Sequence, residues 1–187
     1  MVDSSLHIVR EVKFMRCKSE PNFFFVVIGQ FPDFFSAAAL RNPVISVGEL
    51  ATTDIPDWYF AEFGLDYPIF SSPRSFESAA KSTKPLSPPL MNAETYKKLQ
   101  EFSPMRYLDA IHVPVLLLIG KADRRVAPTQ GIEFYHALKA KYAKSGEGEE
   151  KKVEMLLFDG EGHPLEGVEA SKIVFEAMRD FLAQACG

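Results

Sequence analysis

Two residues of this chain combine a reactive type with a setting in which they could do chemistry, Asp123 and His163. Asp123 lies in "KADRRV", four residues past Ile119 in the apolar run "VPVLLLIG". His163 lies in "GEGHP", five residues past Phe158, which closes "VEMLLF". A carboxylate held against an imidazole fixes which ring nitrogen carries the proton and stabilises the charged ring. The other nitrogen is then free to take a proton from a nucleophile. Each residue alone has a plainer reading: Asp often satisfies free N–H groups where a helix starts, and a single loop histidine is ordinary. Placed jointly at the ends of two successive strands, they favour the catalytic reading.

The other candidates are weaker. His7 stands in a stretch without clear pattern, His112 precedes a strand, and His136 sits on a helix among surface-type neighbours. Ser78 and Lys81 match S-x-x-K, but the S-D-N and K-T-G companions of that chemistry are absent. Asp54, Asp57, Glu62 and Asp66 surround Pro56 and read as helix caps and surface charge rather than as a metal or acid pair. Phe23 to Phe25 with Phe31, Phe34 and Phe35 form an aromatic cluster that reads as core, part of it at risk of being left uncovered.

The elements that must position Asp123 and His163 are legible in the last third of the chain. "VPVLLLIG" has the length and apolar continuity of a strand buried on both faces, as in a parallel sheet. From Pro128, the residues Ile132, Tyr135, Leu138 and Tyr142 recur at helical spacing. "VEMLLF" reads as a second buried strand, and a final helix carries Val174, Met178, Phe181, Leu182 and Ala185 on one face. Strand, helix, strand, helix predicts an α/β architecture with parallel strands. In such sheets chemistry occupies the loops beyond the carboxyl ends of the strands. The separation of 40 positions from Asp123 to His163 leaves room for one helix and one strand, and acid before histidine is the chain order of α/β-hydrolases. Upstream, "FSAAAL" closed by "RNP" reads as a small-residue buried strand and a turn. Residues 48–104 read as irregular covering structure with short helical pieces such as "NAETYKKLQEF".

Composition bounds the rest. At 187 residues and 47% hydrophobic, the chain can bury one sizeable core. Its net charge of -4 comes from interleaved acids and bases, so no basic face is available for nucleic acid. Cys17 and Cys186 make neither a disulfide framework nor a metal-ligand pattern. No apolar run reaches the roughly 18 residues that suggest a membrane span. The expectation is a cytoplasmic protein without a membrane partner.

These residues also carry a resemblance. "VPVLLLIGKADRRVAPTQGIEFYHALK", "SAAALRNPVI", "TDIPDWYF" and "SPMRYLDAI" resemble the C-terminal part of the prolyl oligopeptidase group of serine peptidases, most nearly the acylaminoacyl peptidases. The likeness spans about residues 28–183, with "DRRV" and "TDIPDW" its most specific parts. It implies a hydrolase that removes an N-acylated amino acid from short blocked peptides by proteolysis, with Asp123 as triad acid, His163 as triad base, and no metal or organic cofactor. The expected partner is a short N-acylated peptide, and self-association into a homo-oligomer is also expected. The resemblance divides the chain into an unmatched leader, 1–27, and a partial α/β-hydrolase domain, 28–187, with a mostly parallel sheet, flanking helices, and the upstream strands and nucleophile elbow missing. None of the eleven glycines stand four apart, so no G-x-S-x-G elbow exists and no nucleophile is identified. Ser4, Ser5 and Ser19 lack the setting that activates a serine. Two alternatives stay open: a catalytically inactive remnant or regulatory fragment, and a broader dipeptidyl or oligopeptidase specificity.

Overall fold

A computed structural model describes residues 28–29, 31–55, 92–145 and 153–186 of the chain. Strand β1 (Ala38–Arg41), strand β2 (Val115–Gly120) and strand β3 (Val153–Phe158) form a three-stranded sheet in that order, and both pairings are parallel. Helix α1 (Ala93–Glu101) precedes β2, helix α2 (Pro128–Ser145) connects β2 to β3, and helix α3 (Val168–Cys186) follows β3. Short 3₁₀ segments cover Val47–Thr52 and Pro104–Ala110.

Every residue of β2 is buried. Successive side chains of a strand point to opposite faces, so β2 feeds two cores. Val115, Leu117 and Ile119 join Phe134, Leu138 and Tyr142 of α2 on one face. Leu116 and Leu118 join Val174, Phe181 and Leu182 of α3 on the other. Met178 and Ala185, expected on the same stripe of α3, are partly buried against that second core. This double burial is why the strand reads as an unbroken apolar run: neither face meets water.

The expectation for "VEMLLF" needs correction. β3 is paired on one side only among the described residues, and Leu156 and Leu157 are 36% and 46% exposed. An apolar run alone does not separate a central strand from an edge strand, because burial depends on what lies beside it.

Local polar contacts fix the connections. Asn92 caps α1, its side-chain oxygen accepting from Thr95 N at 2.9 Å. Gln130, almost fully buried in the first turn of α2, accepts from Ile45 N at 2.8 Å and Ser46 N at 3.0 Å, which ties the turn after β1 to α2. The Tyr142 hydroxyl donates to Val113 O at 2.8 Å and fastens the far end of α2 to the entry of β2. Of the aromatic cluster, Phe35 is buried while Phe31 and Phe34 are mostly exposed. Phe23 to Phe25 and the rest of the leader lie outside the described residues, as do Asp57, Glu62, Asp66, Ser78 and Lys81.

Candidate active site

The site assembles where β1, β2 and β3 end. Parallel strands put their carboxyl ends on one edge of the sheet, so the loops after β2 and β3 emerge side by side. Lys121 N donates to Phe158 O at 3.0 Å and Ala122 N to Glu161 O at 2.9 Å, continuing the β2–β3 ladder into the loops. Their contact is close. A Cβ on Gly120 would stand 2.6 Å from both Glu161 O and Gly162 O, so a residue without a side chain is needed where β2 meets the second loop.

Asp123 and His163 meet there. His163 Nδ1 lies 2.8 Å from Asp123 Oδ2, with the Asp123 side chain fully buried and the His163 side chain 23% exposed. An ionised carboxylate only accepts, so the hydrogen at this contact belongs to Nδ1, and a neutral ring then carries its lone pair on Nε2. The other carboxylate oxygen is also used: Oδ1 accepts from Arg125 N at 2.8 Å and Val126 N at 3.0 Å. This is an Asx turn and not a helix cap, since α2 begins later, at Pro128. The two sequence readings of Asp123 are therefore not exclusive. One oxygen shapes the loop, and the loop aims the other oxygen at His163.

Asn42, read from sequence only as part of a turn, belongs to this site. It is buried at the end of β1 with a left-handed φ of 41°, a conformation Asn tolerates better than most residues. Its Oδ1 accepts from Gly120 N at 2.8 Å, and its Nδ2 donates to His163 O at 2.8 Å and Gly162 O at 3.3 Å. Arg41 beside it donates to Pro164 O. The only sequence signal was a polar residue closing an apolar strand, and nothing in it told where the amide would reach.

A cleft of about 410 Å³ opens beside the loop after β2, with Glu49, Thr53, Asp54, Asp123 and Arg125 in its wall. Asp54 Oδ1 accepts from Arg125 Nε at 3.2 Å there; both side chains are 42% exposed, so this is a screened surface pair worth at most about 1 kcal/mol. Among the described residues, no three His, Cys, Asp or Glu side chains group in a way that could hold a metal ion. His112 contacts Asp33 at 3.5 Å, and His136 is exposed, edge-on to the ring of Tyr135, so neither joins the site.

Residues 23–187 match the model of the prolyl oligopeptidase family. The chain belongs to that family. It is 35% identical over 150 residues to an acylamino-acid-releasing enzyme of Mus musculus, a match covering 80% of this chain and 17% of the relative. An acylaminoacyl peptidase of Pyrococcus horikoshii superimposes with a TM-score of 0.56 at 20% identity, over 86% of this chain and 22% of that one. A puromycin-hydrolyzing peptidase of Mycobacterium tuberculosis gives 0.56 at 25% identity, over 89% and 20%. This prolyl oligopeptidase family member thus spans about a sixth of the length of the curated relative and about a fifth of each solved structure. Its parallel sheet and flanking helices are those of part of an α/β-hydrolase domain.

Proposed function

We propose that Asp123 and His163 are the acid and base of a serine peptidase of the acylaminoacyl peptidase kind. One observation carries this reading: the 2.8 Å contact between a fully buried carboxylate and a partly exposed imidazole at adjacent strand ends. Asp123 orients the ring, and His163 Nε2 takes the proton of a serine hydroxyl as its oxygen attacks the backbone carbonyl carbon of the acylated residue. The protonated ring then gives that proton to the leaving amine, and water repeats the sequence to release the N-acylated amino acid. Short N-acylated peptides are the proposed substrates, and the cytoplasm the proposed location. Among the described residues, no helix is long and apolar enough to cross a membrane. The division into a leader, 1–27, and a hydrolase segment, 28–187, belongs to the same proposal.

A second reading has its own observation. The 187 residues hold no G-x-S-x-G, so the chain by itself is proposed to be catalytically silent, acting as a remnant or a regulatory binder. In triad enzymes, loss of the nucleophile costs about 10⁶ in kcat. The residue after that serine normally lends an oxyanion-hole N–H, and it is absent too.

Isolating from source cells every species that carries residues 113–131 separates these readings. A species that takes up a fluorophosphonate and releases acetyl-amino acid from a blocked peptide supports the peptidase reading. Cleavage restricted to peptides with free amino termini replaces it with the broader oligopeptidase specificity. The purified 187-residue chain is expected neither to label nor to release product above a His163→Ala control. Labelling at one serine that disappears in His163→Ala would show a nucleophile within the chain and remove the silent reading.

A further inference from the structure

The loop carrying His163 is held by its backbone. Four successive carbonyls are each taken by a donor from the ends of β1 and β2: Glu161 O by Ala122 N, Gly162 O and His163 O by Asn42 Nδ2, and Pro164 O by Arg41. Asn42 is central to this set, because the same amide also accepts from Gly120 N and so joins the end of β2 to the loop. The task needs a donor and an acceptor on one short side chain, on a backbone of positive φ. Aspartate would meet Gly120 N but turn its second oxygen toward two carbonyls. Serine has no pair of separated donor and acceptor atoms, and glutamine adds a methylene where the residue is 2% exposed.

We infer that Asn42 is a positioning residue for His163: by bridging Gly120 N to the carbonyls of Gly162 and His163, it sets the distance and angle at which the imidazole meets Asp123. The inference rests on the proposed pairing of Asp123 with His163 and adds a third participant from β1. Its specific content is that the amide acts on the ring through the loop and is not a general support of the sheet. The sheet has its own ladder and two apolar cores, whereas the loop meets the strand ends through these bonds, the Asp123–His163 contact and the Lys121–Asp159 ion pair. Within the loop, Leu165 N donates to Gly162 O and Gly167 N to Glu161 Oε2, with Leu165 buried beneath it.

Nitrogen-15 labelling of histidine in the 187-residue chain provides the test. The four imidazoles are His7, His112, His136 and His163, and the His163 resonances are those missing from His163→Gln. In the unaltered chain the neutral ring is expected as the Nδ1–H tautomer, with a proton shielded from exchange. Asn42→Asp retains size and the acceptor for Gly120 N; Asn42→Gly retains the left-handed backbone and removes the bridge. Both are expected to speed exchange of the Nδ1 proton by about tenfold or more, as for loss of one buried hydrogen bond, and to mix the tautomers. The amides of Val115–Ile119 should stay as protected as before, and the signals of His112 and His136 should not move.

An unchanged His163 signature in both variants overturns the inference. So does an equal loss of protection throughout β2, which would make Asn42 a support of the whole sheet. Asp123→Asn is measured alongside. If it abolishes the signature and the Asn42 variants do not, the assignment to Asn42 falls and the Asp123–His163 pairing stands. If the signature is missing from the unaltered chain, or unaffected by Asp123→Asn, the pairing falls and the inference falls with it.

Discussion

Asp123 has two separable jobs, and two substitutions distinguish them. Its Oδ1 holds Arg125 N and Val126 N, and its Oδ2 holds His163 Nδ1. Asparagine can keep the first pair of bonds but presents an amide donor to the ring, which reverses the tautomer. Alanine loses both, and leaves Val126 N without its acceptor in a region where Val126 itself is 3% exposed. Leaving one buried donor unsatisfied costs about 1–3 kcal/mol. Asp123→Ala is therefore expected to lower the free energy of unfolding by about 2 kcal/mol more than Asp123→Asn, read from denaturant midpoints at constant slope. Equal losses would mean that the Asx turn contributes nothing to stability.

At the level of the element, β2 and β3 have similar sequences and different energetics. Leu117 is fully buried between the neighbouring strands and beneath α2, while Leu157 on β3 is 46% exposed. Removing a buried leucine side chain loses its transfer energy and leaves a cavity, at a cost of about 2–5 kcal/mol. Leu117→Ala should fall in that range, and Leu157→Ala should cost less than about 1 kcal/mol. Thermal unfolding of the two variants checks the contrast. A similar drop in both would place β3 in the interior, as the sequence reading held, through cover from residues outside those described.

For the whole molecule, the described surface keeps apolar groups that a closed domain would bury. Leu156 and Leu157 on β3 and Phe175 on α3 are exposed, and β3 offers one unpaired edge among the described residues. Such edges invite pairing with another copy. The chain is expected to self-associate, with a sedimentation coefficient that rises with concentration, and Leu157→Lys should weaken the association by placing a charge on that strand. A concentration-independent monomer would show that this surface is covered by the chain itself.

The α/β order, the buried strand β2, the helices from Pro128 and toward the C-terminus, and the pairing of Asp123 with His163 as candidates were all legible in the sequence. Each rests on local information: apolar runs, helical spacing, or the number of residues past a strand end. "DRRV" and "TDIPDW" pointed to the family for the same reason, since a motif is contiguous. What the tertiary structure alone decided depends on neighbours far apart in the chain. The edge position of β3 follows from which strands lie beside it, and Gly120 matters because the His163 loop passes over it. Asn42 enters the site across 121 residues of separation through one amide, and both oxygens of Asp123 are occupied at once. Hydrogen bonds at that range leave no period in a sequence, because the polar residue and its partner are brought together only when the sheet closes.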